Sequence, residues 1–99
     1  MVAFENAKYT VRRTSKFKKE IKLAKKRGLD IKELYPIVKL LANGETLPEK
    51  YRNHELEGNW KNHYECHIRP DWLLIYQIKE DMLVLELTRT GTHADLFKT

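Results

Sequence analysis

The fold is decided by residues 72–89, which read WLLIYQIKEDMLVLELTR. Residues 72–78 are apolar at nearly every position, which is typical of a central strand covered on both faces. Residues 82–89 form a second β-rich run, and the polar residues 79–81 between the two runs predict a hairpin turn. This stretch therefore predicts an antiparallel hairpin whose first strand is central in a sheet.

Three shorter runs predict the remaining strands. Residues 8–13 alternate roughly between β-forming and polar side chains and predict a first strand. Residues 54–56 and 63–69 predict two more, with a turn at Gly58 and Asn59 between them. Most of the sheet is therefore expected in the second half of the chain.

Two helices are predicted between the first strand and the rest of the sheet. The first covers residues 16–27, and the second follows Asp30 and ends at Asn43. Apolar side chains recur at helical spacing in both: Phe17, Ile21 and Ala24 in the first, and Ile31, Leu34, Val38 and Leu41 in the second. Proline is tolerated only in the first turn of a helix, so the second helix either begins near Tyr35 or kinks at Pro36.

The order β-α-α-β-β-β predicts an α+β domain. We expect an N-terminal strand and a two-helix hairpin packed on one face of a mainly antiparallel sheet of four or five strands. The other face of the sheet is expected to stay open as a binding surface. A chain of 99 residues has room for one domain, which we place at residues 1–99.

Charge is distributed unevenly along the chain. The net charge is +5, but residues 1–50 carry a net of +7 and residues 51–99 a net of −2. All four histidines lie in the second half. The first half therefore favours a polyanionic partner, and the second half concentrates groups that titrate near neutral pH.

The sequence argues against membrane and secreted proteins. Its longest apolar stretches, within residues 72–76 and 82–85, have only four or five residues, whereas a membrane span needs roughly 20. Residues 1–9 lack the apolar core of a signal peptide. Cys66 is the single cysteine and forms no internal disulfide, so we expect a cytoplasmic protein and no membrane partner.

Two kinds of site chemistry are disfavoured by the pattern around the histidines. His63 and His67 have a spacing that suits zinc on a helix, but they lie on a predicted strand, and the paired spacing of a structural zinc site is missing. Cys66 would point to the opposite strand face from His67 and is expected to pack as a small apolar residue. We therefore expect neither a metal or other cofactor nor a thiol nucleophile.

Acid–base catalysis is the chemistry that the histidines favour. Imidazoles titrate at about pH 6.5, so a pair supplies a base and an acid at neutral pH. That equipment suffices to cleave RNA, because the ribose 2′-hydroxyl is itself the nucleophile. On composition and spacing alone, plainer interpretations stay open: a solvated basic helix, tryptophans that pack in the core, and histidines with structural roles.

Three motifs in the second half resemble a known family. Residues 54–61 (HELEGNWK) resemble its H-x-L-x-G-x-W segment, and residues 67–76 (HIRPDWLLIY) are similar to its H-x-x-P-D-W-x-L-I-Y block. Residues 89–97 (RTGTHADLF) resemble its R-T-G-T-H-x-x-L-F ending. The family is that of the YafQ-type toxins in the RelE/ParE superfamily, and the resemblance extends over essentially the whole chain.

The resemblance implies a toxin of a type II toxin–antitoxin system. Such a toxin is a ribosome-dependent endoribonuclease, or mRNA interferase, which cleaves translated mRNA without a metal and so inhibits translation. It implies a cognate antitoxin as partner, and contact with DNA only indirectly through the antitoxin complex. The family positions fall on the catalytic residues His54, His67, Asp71 and His93 and on the substrate-binding residues Trp72 and Phe97.

We assign a role to each residue of this set. His54 is expected to be the general base and His93 the general acid, although the two could be exchanged, and His67 and Asp71 are expected to form a supporting pair. Two roles stay open for Trp72, packing in the sheet and contact with the nucleotide. Phe97 is expected to contact RNA or close the site. Ribosomal RNA is expected to bind the basic residues of the first helix: Lys16, Lys18, Lys19, Lys22, Lys25, Lys26 and Arg27.

Two alternatives belong to other functional classes. One is a ParE-like toxin with the same fold, which inhibits a topoisomerase and cleaves no RNA. The other is a basic binding module whose histidines are structural. An RNA-cleavage assay distinguishes the nuclease from both.

Overall fold

The computed structural model describes residues 6–97. Its sheet has five strands in the spatial order β1-β5-β4-β3-β2. The strands are β1 (Thr10–Arg13), β2 (His54–Glu55), β3 (Tyr64–Arg69), β4 (Trp72–Lys79) and β5 (Val84–Gly91). The helices are α1 (Ser15–Lys26), α2 (Tyr35–Ala42) and the short α3 (His93–Leu96).

The predicted α+β fold is confirmed, with β4 in the middle of the sheet. Neighbouring strands are antiparallel except for β1, which pairs in parallel with β5. Residues 72–76 of β4 are all buried, as expected for a strand covered on both faces. The β4–β5 turn lies slightly later than predicted, because β4 continues to Lys79 and β5 begins only at Val84.

The helix boundaries follow from local capping. The Thr14 side chain accepts a hydrogen bond from the Phe17 N–H at 3.0 Å and starts α1. Asp30 caps a 3₁₀ turn at Ile31–Leu34, and α2 begins only at Tyr35. Pro36 therefore lies in the first turn of α2, where its missing N–H costs no hydrogen bond, and the helix does not need to kink.

The helices cover one face of the sheet with the main core. Phe17, Ile37 and Val38 are at most 1% exposed and belong to one apolar cluster with buried side chains of β4 and β5. Burial of this apolar surface is the principal source of stability in such a domain.

The opposite face of the sheet is covered in part, and the expectation of an open face is wrong there. Leu73 and Ile75 are both 0% exposed and form a second cluster with Leu96. The cluster is completed by three partly buried side chains, those of Leu56, Trp60 and Phe97. This face holds a small second core because β4 presents large apolar side chains to both sides.

The helix α3 is absent from the sequence prediction. Four residues are too few to show a helical period, so only the capping pattern marks it. The Thr92 side chain accepts from the Asp95 N–H at 3.1 Å, and the Asp95 carboxylate accepts from the Thr92 N–H at 2.9 Å. This reciprocal capping box fixes the turn that carries His93.

Within residues 6–97, the helices are all too short or too polar to cross a bilayer.

Candidate active site

A buried carboxylate lies between two histidines on the face opposite α1 and α2. His54 of β2 is directly opposite Glu65 of β3, and Glu65 Oε1 lies 3.4 Å from His54 Nε2. His67 follows two residues along β3, on the same face, and its Nε2 is also 3.4 Å from Glu65 Oε1. The Glu65 side chain is 5% exposed, so this carboxylate is shielded from water and interacts with both rings.

The histidines form a row across the sheet. The ring centroids of His54 and His67 are 6.4 Å apart, and those of His67 and His93 are 5.6 Å apart. His93 reaches this row because α3 follows β5 directly. The structure therefore gathers the three histidines that the motifs single out.

Glu65 is the residue of this candidate site that the sequence prediction leaves out. Strand alternation places it on the same face as His67, and this Glu-x-His spacing is the signal that identifies it. The neighbour Cys66 is 0% exposed, and burial raises the pKa of its thiol to about 12. The expectation that Cys66 packs as an apolar residue is confirmed.

Asp71 orients His93. Its Oδ1 accepts a hydrogen bond from the His93 backbone N–H at 2.9 Å and one from the His93 ring Nδ1–H at 2.7 Å. The pKa of Asp71 lies below its usual value, mainly because of the hydrogen bond from the His93 backbone and next because of the one from the ring. With Nδ1 protonated toward the carboxylate, Nε2 of His93 is the ring nitrogen that does not contact Asp71.

The two residues of the expected supporting pair, His67 and Asp71, have separate partners among the described residues. His67 contacts Glu65, and Asp71 contacts His93. The reason is the turn at residues 70–71, because Asp71 lies outside both strands and faces the start of α3.

His54 is oriented by the backbone. Its Nδ1 is 2.8 Å from the Arg52 carbonyl oxygen, which can only accept, so Nδ1 carries a proton in this geometry. Its Nε2 then faces Glu65, and half of the side chain remains exposed. His63 lies outside the row, as expected: its Nδ1 contacts the Lys61 carbonyl at 3.1 Å, and its ring packs edge-on against Trp60.

The two predicted substrate-binding aromatics lie on opposite faces of the sheet. Trp72 belongs to the core under the helices, is 2% exposed and donates from Nε1 to Thr90 Oγ1 at 2.9 Å. The predicted nucleotide contact of Trp72 is therefore wrong, because its ring has no free surface for stacking. Phe97 lies on the face of the histidines, partly buried, with its ring centroid 6.4 Å from that of Trp60.

Residues Glu65, His67 and His93 also have the geometry to hold a metal ion. One ligand atom from each lies within 4.8 Å of the others. Two imidazoles and a carboxylate are a donor set that suits Zn²⁺. The expectation of no metal rests on the His63–His67 spacing, whereas the folded sheet gathers a different set of ligands.

The basic residues predicted to dock on RNA are exposed, and one of them forms an ion pair within the molecule. The six lysines at positions 16, 18, 19, 22, 25 and 26 are exposed, as a docking surface requires. Arg27 is instead paired with Asp95, at 2.6 Å and 3.3 Å between guanidinium nitrogens and carboxylate oxygens. Its predicted role in RNA docking stays a prediction, since the Arg27 side chain is 40% exposed although this ion pair engages its charge.

The Arg27–Asp95 pair braces the turn that carries His93. The pKa of Asp95 lies well below its usual value, mainly because of the Arg27 guanidinium and next because of the hydrogen bond from the Thr92 N–H. Gly91 is needed for the close approach, because a Cβ at this position would lie 2.9 Å from Asp95 Oδ2. A second ion pair joins α1 to β5, where Arg89 contacts Glu20 at 2.7 Å.

These features define a small bacterial toxin of a type II toxin–antitoxin system. A family model described as "Bacterial toxin of type II toxin-antitoxin system, YafQ" matches residues 9–98. The chain belongs to this YafQ family.

Several relatives resemble the chain over nearly its whole length. The mRNA interferase toxin YafQ of Escherichia coli strain K12 is 42% identical over 85 residues, which cover 85% of this chain and 90% of the relative. The toxin in the crystal structure of the E. coli DinJ-YafQ toxin-antitoxin complex superposes with a TM-score of 0.82 at 38% identity, covering 91% of this chain and 98% of that one. A metal-bound toxin from Helicobacter pylori gives a TM-score of 0.85 at 44% identity, over 90% of this chain and 99% of that one.

Proposed function

We propose that this protein is an endoribonuclease that cleaves mRNA, the toxic activity of a type II toxin–antitoxin system. The observation that carries the proposal is the row of three histidines around the buried Glu65. General acid–base cleavage of RNA requires two proton-transfer groups a short distance apart, and this row supplies them without further equipment. The name of the E. coli relative, an mRNA interferase toxin, supports the same substrate.

The first half of the reaction is assigned to His54. Its Nε2 takes the proton from the ribose 2′-hydroxyl, and the 2′-oxygen attacks the adjacent phosphorus. Glu65 stabilises the imidazolium that forms, because its carboxylate lies 3.4 Å from the same nitrogen in a shielded position. Glu65 is therefore expected to make proton transfer to His54 more favourable.

The second half is assigned to His93. Its Nε2 donates a proton to the 5′-oxygen as the P–O5′ bond breaks, which leaves a 2′,3′-cyclic phosphate and a 5′-hydroxyl. Asp71 holds the ring by its Nδ1 and keeps Nε2 toward the substrate. His67, between the two rings, is positioned to stabilise negative charge on the phosphorane.

The partners are proposed from the surface of α1 and from the relatives. The six exposed lysines of α1 form a cationic surface that suits ribosomal RNA, and we assign ribosome docking to them. An antitoxin is the expected protein partner, since the E. coli relative is seen in complex with DinJ. Phe97, on the face of the histidines, is assigned to contact with the RNA.

The proposal is tested by cleavage of a synthetic mRNA, free and bound in programmed ribosomes, with the new 5′ ends mapped. We expect cuts in the ribosome-bound mRNA, and His54→Ala and His93→Ala are each expected to abolish them. His63→Ala is the matched control, because His63 directly precedes β3 and contacts Lys61 and Trp60 outside the row. Full activity of both alanine variants would refute the assigned roles, and no cleavage by the parent protein would favour a ParE-like inhibitor.

A further inference from the structure

A cationic groove opens beside His67. It encloses about 310 Å³ and is lined by Lys50, Arg52, His67, Ile68, Arg69 and Pro70. Three of these side chains are cations and none is a carboxylate. His67 is shared between the groove and the histidine row, so the groove continues directly from the candidate active site.

The charges of Lys50 and Arg52 are available to a ligand. Both side chains are exposed, and neither takes part in an ion pair among residues 6–97. Arg69 is held by Glu33 through three contacts of 2.7–3.1 Å, which orient its guanidinium at the rim. The groove therefore keeps a positive charge after the internal pairing of Arg69 is taken into account.

The backbone at Arg52 provides independent support. Its φ of 49° and ψ of 45° are left-handed, a conformation that favours glycine or asparagine. The Arg52 carbonyl holds the Nδ1 of His54, so this residue links the groove to the candidate base. A long cationic side chain at a strained position beside a functional site indicates a use for that side chain.

We propose that this groove binds a backbone phosphate of the mRNA that flanks the scissile bond. The proposal rests on the proposed function, because it places a second phosphate of the same substrate. A phosphate fits the groove better than a base does, because three of its six lining residues are cationic and none of them is Phe, Tyr or Trp. Arg52 and Lys50 are the residues that contact the phosphate oxygens.

The test is a double-mutant cycle in which one change is made in the protein and the other in the RNA substrate. Arg52→Asn removes the cation while keeping a residue that tolerates the left-handed backbone, so the variant is expected to fold at least as well as the parent. A set of synthetic mRNAs carries one neutral methylphosphonate linkage at successive positions around the cut. Each RNA is presented in programmed ribosomes, and KM and kcat are measured for the parent, Arg52→Asn and the control Lys39→Gln, an exposed cation on α2 outside the groove.

The expected result is specific to one linkage. In the parent, one methylphosphonate position other than the cleaved one raises KM by about fivefold, with little change in kcat. Arg52→Asn raises KM to a similar extent on unmodified RNA, and the same methylphosphonate adds no further effect, because the two groups contact each other. Lys39→Gln behaves like the parent.

Two other outcomes separate this proposal from the proposed function. Lys50→Gln is measured as a second groove variant. If the parent cleaves RNA but both groove variants give the same KM as Lys39→Gln on every methylphosphonate RNA, the groove does not bind phosphate and the proposal is overturned. If the parent cleaves no RNA, the proposed function fails, and the groove assignment fails with it.

Discussion

Glu65 lies directly opposite His54 across the β2–β3 strand pair, with its Oε1 3.4 Å from the His54 Nε2. The carboxylate is buried whereas the imidazole is half exposed. A negative charge held in a shielded position acts strongly on its neighbours, because little water screens it. This relationship makes Glu65 the first residue to test.

Glu65→Gln is expected to lower kcat by about 100-fold with a smaller change in KM. Glutamine keeps the shape of the side chain but cannot stabilise an imidazolium on His54 or His67. Steady-state cleavage kinetics measure the effect. Glu86→Gln is the matched control, because Glu86 is a partly buried carboxylate on β5 that pairs with Lys79. Unchanged kcat in Glu65→Gln would remove Glu65 from the mechanism.

Asp71→Asn is expected to lower the cleavage rate by about tenfold at neutral pH, because the parent Asp71 keeps its contact with His93 from about pH 5 to pH 8. The pKa of Asp71 is lowered, so its contact with His93 is present above the usual carboxylate pKa and is lost only as the pH falls through the lower folded value. Asp71 is thus ionised throughout that range. A pH–rate profile of the parent and the variant measures the loss, and equal rates of the two proteins throughout the range would contradict the role of Asp71.

Asp95→Asn is expected to lower the melting temperature by about 4–8 °C at pH 7, because it weakens both the capping box and the ion pair with Arg27. The depressed pKa of Asp95 means that its stabilising effect is present above the ordinary value of 3.8 and is lost as the pH falls toward the lower folded pKa. The difference between variant and parent therefore narrows below about pH 3.8. Thermal unfolding at several pH values measures it, with Asp81→Asn, in the exposed β4–β5 turn, as control.

Charge reversal on α1 is expected to weaken ribosome binding. The double variant Lys18→Glu/Lys22→Glu places negative charge on an exposed cationic surface. The difference in ribosome affinity between parent and variant should be largest at low salt, because the electrostatic attraction of the parent is screened least there. Sedimentation with ribosomes measures the binding, and circular dichroism checks that the fold is retained. Equal binding of parent and variant at every salt concentration would place the docking surface elsewhere.

Added Zn²⁺ is expected to inhibit cleavage. Coordination by Glu65, His67 and His93 would occupy the nitrogen lone pairs that the proposed proton transfers require. Toxin treated with a chelator and then desalted should keep full activity, lose it with equimolar Zn²⁺ and regain it when the chelator is restored. Mg²⁺, which prefers oxygen ligands, is the control. Stimulation by Zn²⁺ would show that the metal takes part in the reaction.

The sequence predicts those features that depend on local pattern. The apolar run of β4, the amphipathic α1 and the cap at Asp30 each leave a signal within a few residues. The motif resemblance correctly singles out the three histidines that meet in the row. Their meeting follows from strand order, because His54, His67 and His93 come from three segments of one sheet face.

The misses depend on contacts between distant segments. Strand alternation alone does not show which face the helices cover, so Trp72 could not be assigned to the core. The pairing of Asp71 with His93 depends on where α3 begins, and that short helix has no periodic signal. Arg27 resembles the lysines before it in the sequence, and only the folded chain brings Asp95 within reach.

The parallel pairing of β1 with β5 sets the order in which the molecule is completed. Thr10 pairs with Val84, so the first strand to leave the ribosome during synthesis waits for the last strand before it gains its partner. His93 follows β5, so the histidine row is completed only after β5 and the start of α3 have been synthesised. A nascent chain that stops before His93 lacks part of this row, and we therefore expect cleavage only by chains that extend past α3.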